Sequence, residues 1–399
     1  MVRLKIAELF AGIGGVAGGL LDAGGFDPVL LIDREPLAAK VFNANFPTYA
    51  PRYHTRSVSA RLTGRELLEQ AGGEIDGILG CPPCQGYSAA GLRDPDDARN
   101  QLLDEMRRLI ASIEPLFFLI ENVPSLRSSH QFERFGQSLE SKYEIAAQVL
   151  NAAEFGIPQL RRRLVVLGVH RCAKVSPSFP TPTHGGKGRV FDYCSGRYLR
   201  PSSPAGRQAF QVDPGLHFAR RKMVTLSAAL DDLPANPPLH LGRGLSGDAP
   251  LEYAGPARTT FQRRMRRESR RPTHHVAWRH RSTLVKRLAR IAPGDCPPGT
   301  GGRSRNAEYF SQAYARLHPA GLARTVTTNF HNPGSGRFTH YAVPRALTLR
   351  EAMRLQSFPD SFVLPEMHLS EAERLIGNAF PRRLAEVLGR HIARLLSGR

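Results

Sequence analysis

The residues best able to do chemistry stand at the ends of short apolar runs. Gly80-Cys81-Pro82-Pro83-Cys84 closes the run 75–80, and two prolines stiffen the loop that aims the Cys84 thiol. Glu121-Asn122-Val123 closes the run 115–123, and Gln159, Arg161 and Arg163 stand at the entrance of another, 163–170. In an open α/β sheet, the carboxyl ends of strands are where ligands bind. A thiol, a carboxyl group and paired guanidinium groups are thereby expected at one edge. Such a set answers a specific problem. Carbon 5 of cytosine is too weak a nucleophile to take a methyl group from a sulfonium. A thiolate adding to carbon 6 turns the ring into an enamine, an acid at N3 promotes that addition, and a guanidinium at O2 holds the base. Nearby arginines would also lower the thiol's pKa from its free value near 8.5.

The elements that must carry these groups read as alternating strands and helices. Strands are expected over 3–9, 28–33, 75–80, 115–123, 143–152 and 163–170, with helices over 35–46 and 99–113. This pattern predicts an α/β domain with a doubly wound, mostly parallel sheet. Between the first strand and its helix lies a glycine turn. Gly12, Gly14 and Ala17 fit G-x-G-x-x-[GA], and Asp33 ends the next strand about 20 residues on. That geometry seats an adenosyl ribose, and it suits NAD, FAD and S-adenosylmethionine alike. After about residue 171 the texture changes. The stretch to 324 is rich in Pro, Gly, Arg and His, with the basic run 263–281 inside it. It reads as a smaller inserted domain. Regular structure returns at 347–356 and in two helices that part near Gly377–Pro381.

Composition narrows the class. The chain has 399 residues, 41% of them hydrophobic, enough for two cored domains. Its 55 Lys and Arg against 35 Asp and Glu leave +20, which suits a polyanionic partner. No apolar run reaches membrane-spanning length and no signal peptide is evident, so a cytoplasmic protein without membrane attachment is expected. Five cysteines, one CxxC and no second ligand pair argue against a disulfide scaffold and against a zinc site. His274, His275 and His280, interleaved with arginines, read as phosphate-facing rather than metal-binding. Arg266 and Arg267 read as phosphate contacts too.

Taken in order, the motifs resemble those of the DNA (cytosine-5) methyltransferase family, bacterial type. The resemblance runs through FAGIGG and Asp33, PPCQ, ENV, QLRRR, RALTLREAMRLQSFPD and GNAFP, and covers nearly the whole chain. It implies S-adenosylmethionine as cofactor and Cys84, not Cys81, as nucleophile. Glu121 becomes the partner of N3, and Arg161 and Arg163 the arginines of Q-x-R-x-R. It places Phe10 near the cofactor adenine, Gly12, Gly14 and Asp33 around the adenosyl group, Pro82 and Leu102 near the cofactor, and Asn378 in a segment returning to that site. The domain division it implies is 1–171 catalytic, 172–325 target recognition and 326–399 completing the catalytic domain. Loop 85–100 corresponds to the one that closes over a flipped-out base. Double-stranded DNA is the implied partner of a monomeric enzyme, with a cognate restriction endonuclease as the natural companion. Two positions depart from the family pattern. Asp33 stands where Glu is usual, and Ser57–Val58 where an Asp–Ile pair is usual.

Two other readings compete. A transfer-RNA methyltransferase of the same fold would carry a shorter recognition region than 172–325. A catalytically silent DNA-binding homologue would not need Cys84, Glu121 and Arg163 together. The nucleophile assignment is directly testable. Cys84→Ser should abolish methyl transfer in a protein that still folds, while Cys81→Ser keeps substantial activity, because a hydroxyl is far less nucleophilic than a thiolate at neutral pH. Incorporation of a labelled methyl group into DNA checks this, and the reverse pattern would move the nucleophile to Cys81.

Overall fold

The computed structural model describes residues 3–83, 101–186, 190–192, 195–199, 221–240, 251–297 and 312–398. Two compact units emerge. The first gathers Met1–Leu150, Arg162–Thr181 and Leu384–Arg399; the second gathers Asn151–Arg161 and Pro182–Arg383.

The first unit is built on β1 (Leu4–Leu9), β2 (Phe26–Asp33), β3 (Tyr53–Thr55), β4 (Gly77–Gly80), β5 (Phe117–Asn122), β6 (Tyr143–Asn151) and, beyond the two-residue β7 (Gln159–Leu160), β8 (Arg162–His170). Seven of these form one sheet in the order β3-β2-β1-β4-β5-β8-β6. The pairings from β3 through β5 are parallel, and β5 pairs β8 antiparallel. The expected α/β class with a mostly parallel sheet is what the chain adopts. β1 and β4 are buried almost without alternation, as strands covered on both faces must be. Pro28 lacks an N–H, and the β1–β2 register slips by one residue beside it, so the ladder passes over the missing donor.

The flanking helices follow from their spacing and caps. α1 is Gly15–Ala23. α2 (Pro36–Asn45) opens with proline at its first position, behind the Glu35 cap. α4 (Gln101–Ile113), which follows α3 (Gly64–Gln70), buries Leu103, Met106, Leu109 and Ile110 at three- and four-residue intervals. Ser129 caps α5 (His130–Leu139) by accepting from the Phe132 N–H at 3.2 Å. The C-terminal helix Arg382–Ser397 lies against α1. A Cβ at Gly389 would fall 2.7 Å from the Leu20 side chain, so the close approach requires glycine.

Sequence alone assigned all of 326–399 to the first unit. Here only Leu384 onward joins it, because helices Leu349–Leu355 and Leu369–Asn378 pack inside the second. Gly377 lies so near the Thr327 backbone that a Cβ would come within 2.4 Å of its carbonyl oxygen.

Buried charge organises the second unit. Arg354 is fully buried; it donates to Asp360 at 2.9 and 2.6 Å and also pairs with Asp232. Arg345 grips Glu351 with two hydrogen bonds of 2.7 and 2.8 Å. Glu351 in turn completes a capping box with Thr348.

Two of the three histidines expected to face phosphate, His274 and His275, belong to this interior. His275 is fully buried. Its Nε2 must donate to the Pro234 carbonyl at 2.8 Å, leaving Nδ1 to accept from the Thr348 hydroxyl at 2.9 Å. Burial pushes the pKa of that ring down, which favours this neutral form. His274 accepts from the Leu364 N–H at 2.9 Å, and burial pushes its pKa down to about 3. His280 accepts from the Ala346 N–H at 3.3 Å, and its pKa is also lowered by burial. His274 and His275 are thus core histidines held by hydrogen bonds, whereas His280 is half-buried. Arg266 is likewise engaged. Its guanidinium lies 3.7 Å over the Tyr253 ring and donates to the Gly255 carbonyl at 2.8 Å. Arg267, Arg270, Arg271 and Arg279 of the same run are exposed.

Removing one partner of such a network leaves uncompensated buried charge. Arg354→Ala should cost on the order of 3–5 kcal/mol, or prevent folding. Arg279→Ala, at an exposed position, should stay within about 0.5 kcal/mol of the parent. Urea unfolding of both variants measures the difference, and equal costs would show that the network contributes nothing.

Candidate active site

The sheet order reverses direction at β1 and β4, which creates a switch point. The register there is exact across three strands: Leu9 pairs Gly80, and Gly80 pairs Ile120. The next residue on each strand is Phe10, Cys81 and Glu121. A glycine turn, the Cys-Pro-Pro segment and the carboxylate thus leave the sheet side by side. Gly80 permits this closeness, because a Cβ there would meet Met106 at 2.7 Å and the Leu9 carbonyl at 3.2 Å.

The turn after β1 is tightly specified. Phe10 and Gly12 take left-handed backbone conformations, φ 59° and 55°. The Gly12 N–H donates to Asp33 Oδ2 at 2.8 Å, and the Glu35 N–H donates to Asp33 Oδ1 at 2.9 Å. Two of the four lone-pair directions of that carboxylate are so used, leaving two for a ligand. A Cβ built on Gly12 meets nothing within 4 Å among the described residues, so space lies open over the turn there. Gly14 is the opposite case: its Cβ would be 2.7 Å from Phe42. An acid with two open lone-pair directions and open space at a helix N-terminus can hold an adenosyl group.

Glu8, inside β1, was not anticipated; the one signal is an acid within an apolar run. It is 2% exposed. One oxygen accepts from the Ala17 N–H, and Oε2 has no hydrogen-bond partner. Ala17 is the third residue of α1, whose cap residue, Gly14, has no side chain to offer. Glu8 therefore caps α1 from across the sheet. Burial, with the Asp33 charge nearby, pushes its pKa up to about 8.

At the other end of the site, Glu121 and Arg163 form an ion pair, Nε to Oε1, of 2.6 Å, with both side chains largely buried. That contact is ionic rather than a directed hydrogen bond, since Oε1 has no donor aimed at it. The antiparallel register explains the meeting: Glu121 pairs Val165, and Arg163 lies two residues away on the same face. Asn122 donates from its side chain to the Pro82 carbonyl at 3.2 Å, tying the Pro-Pro segment to β5. Cys84 and loop 85–100 lie outside the described residues.

Arg161 does not share the surroundings of Arg163. It is 3% exposed, and its guanidinium donates to the carbonyls of Val326 and Gly377 at 3.4 and 3.3 Å. Gln159 works alongside it, donating to the Leu355 carbonyl at 2.9 Å and accepting from the Val326 N–H at 2.8 Å. Leu102 is half-buried in the first turn of α4, and Asn378 is exposed at the end of its helix. Ser57 is exposed and Val58 buried. Among the described residues no cluster of His, Cys, Asp and Glu could hold a metal ion. No helix among them is long and apolar enough to cross a membrane.

A mixed seven-stranded sheet with a glycine turn and an acid at its switch point defines a Rossmann-like fold. A DNA modification methyltransferase candidate encoded within an E. coli prophage superposes with a TM-score of 0.73 at 24% identity, covering 99% of this chain and 100% of that one. Dnmt2 methyltransferase of S. pombe superposes with a TM-score of 0.57 at 17% identity, covering 99% of both. The family model for C-5 cytosine-specific DNA methylases matches residues 4–394, so the chain belongs to that family and is a DNA (cytosine-5) methyltransferase. The Type II methyltransferase M.XorII of Xanthomonas oryzae pv. oryzae is 30% identical over 99% of this chain and 86% of that protein. M.DdeI of Desulfomicrobium norvegicum, also a Type II methyltransferase, is 29% identical over 98% of this chain and 88% of that protein.

The raised pKa of Glu8 has a measurable sign. Between about 4.5 and 8 the folded protein keeps this proton while the unfolded chain has lost it. Stability therefore falls with rising pH across that window, by at most about 1.4 kcal/mol per pH unit from this group. Glu8→Gln should remove that part of the slope. Urea unfolding at a series of pH values from 5 to 8 tests it, and parallel slopes for parent and variant would mean that Glu8 ionises normally.

Proposed function

We propose that the methyl donor is S-adenosylmethionine, held at the glycine turn, and that the cytosine is methylated outside the DNA stack through a covalent adduct to Cys84. The observation that carries this reading is the shared register of β1, β4 and β5, which brings the glycine turn, the Cys-Pro-Pro segment and Glu121 to one edge. Asp33 would take the ribose hydroxyls on its two remaining lone-pair directions. Phe10 would lie against the adenine, with Gly12, Gly14, Pro82 and Leu102 forming the surroundings. When bound, this donor supplies an electrophilic methyl group.

The protein's own steps concern the base. A thiol cannot reach the face of carbon 6 inside a duplex, so the target cytosine leaves the stack. The Cys84 thiolate adds to carbon 6 as the 5,6 double bond opens toward N3, where Glu121 promotes protonation. Carbon 5, now an enamine carbon, takes the methyl group as the donor's sulfonium sulfur leaves as a thioether, and N3 gives its proton back to Glu121. Loss of the carbon 5 proton then expels the thiolate and restores the aromatic ring. Of the two arginines, we assign Arg163 to this site, since it already pairs with Glu121. Arg161 is assigned to bracing the Gln159 segment, its Nη1 being engaged by the carbonyls of Val326 and Gly377.

Sequence recognition is assigned to 172–325, with the exposed Arg267, Arg270, Arg271 and Arg279 as phosphate contacts. The Type II names of the relatives support a role beside a cognate restriction endonuclease. Bisulfite sequencing of DNA from cells expressing the protein would give the target sequence. For the mechanism, duplex DNA bearing 5-fluorocytosine should trap a covalent complex with the parent protein. Glu121→Gln should lower turnover on the order of 10²–10⁴-fold while cofactor binding changes little. A normal rate for that variant would remove Glu121 from the mechanism.

A further inference from the structure

We infer that Tyr53 is a positioning residue for the methyl-donor site: its hydroxyl fixes the Gly12 peptide in the orientation the ligand meets. This rests on the reading of the glycine turn as the cofactor site. Tyr53 lies on β3, outside every sequence motif of the site, and its hydroxyl donates to the Gly12 carbonyl at 2.9 Å. From the neighbouring strand β2, Asp33 accepts the Gly12 N–H at 2.8 Å. Two strands thus grip one residue by both of its backbone polar groups. Gly12 needs such a grip. It is a glycine at φ 55°, on a turn where conformational freedom is greatest and where open space gives a rotating peptide no steric stop. Ordering that turn only when a ligand arrives would cost conformational entropy at the moment of binding.

Tyr53 is itself immobilised. Its ring packs on Phe42 with centroids 5.0 Å apart, and Phe42 packs on Phe46 at 4.9 Å. The same Phe42 ring fills the space at Gly14 that any side chain would need. One aromatic stack therefore supports both glycines of the turn. Burial pushes the Tyr53 pKa far up, and the carboxyl groups of Asp33, Glu8 and Glu35 push it in the same direction. The hydroxyl accordingly keeps its proton, and remains a donor, at every pH where the protein works.

The test uses the full-length protein and two ligands, S-adenosylhomocysteine for binding and S-adenosylmethionine for turnover on duplex DNA. Tyr53→Phe removes one oxygen and keeps the ring. Loss of one hydrogen bond that preorganises the turn should raise the Kd for S-adenosylhomocysteine by about 5- to 10-fold. The KM for S-adenosylmethionine should rise in step, with kcat within about twofold. A merely structural role would reduce the melting temperature and the active fraction, leaving Kd and KM of the folded molecules where they were. Gly12→Ala, which adds a methyl group in the open space at strained φ, serves as the second variant and should also weaken binding. If the parent and Gly12→Ala behave as stated but Tyr53→Phe binds with the parent's Kd, the inference about Tyr53 is overturned and the cofactor reading stands. If the parent does not bind S-adenosylhomocysteine, or Gly12→Ala binds as the parent does, the cofactor reading falls and the Tyr53 role falls with it.

Discussion

Everything at the candidate active site depends on the parallel register that sets Leu9 beside Gly80 and Gly80 beside Ile120. Backbone hydrogen bonding fixes that register. A slip of one residue would turn each strand's side chains to the opposite face. The glycine turn, the Cys-Pro-Pro segment and Glu121 would then no longer leave the sheet together. Glycine at position 80 and the near-continuous burial of β1 and β4 keep the strands in place. Catalytic geometry is here a consequence of sheet packing.

The site also shows how a glycine-rich turn is made definite. Glycines at 12 and 14 permit the backbone path but do not enforce it. Enforcement comes from side chains on three different strands: Glu8 capping α1, Asp33 holding the Gly12 N–H, and Tyr53 holding its carbonyl. One consequence is electrostatic. Glu8 is buried without a cation, so its carboxyl group holds its proton more firmly than usual. In the second unit the opposite solution prevails. Asp232, Asp360 and Glu351 are buried beside Arg354 and Arg345, which hold the carboxyl groups of Asp360 and Glu351 in the charged form. Paired and unpaired buried acids thus serve different purposes in one chain.

Arginine shows how far residue type alone carries an argument. Arg161 and Arg163 are two positions apart, and the Q-x-R-x-R motif makes both candidates for the site. Their guanidinium groups have separate partners, carbonyls of Val326 and Gly377 for one and the Glu121 carboxylate for the other. Arg266 and Arg267 are adjacent, yet one lies over the Tyr253 ring and the other is exposed. A run of positive charge marks a basic protein; it does not say which charges are available to a phosphate.

The sequence by itself determined the class of fold, since strand and helix periods alternate in its first half and are local properties of the chain. It also determined the family, because FAGIGG, PPCQ, ENV and QLRRR each carry their residues at short, fixed spacing. Tertiary structure decided the rest. Whether His274 and His275 are cations at the surface or neutral groups in a core depends on Leu364, Pro234 and Thr348, partners 41 to 90 residues away. Tyr53 reaches Gly12 across 41 residues of chain, and Arg161 reaches Gly377 across 216. Hydrogen bonds of that span leave no local pattern, because burial and partner are set by which elements the folded chain brings together.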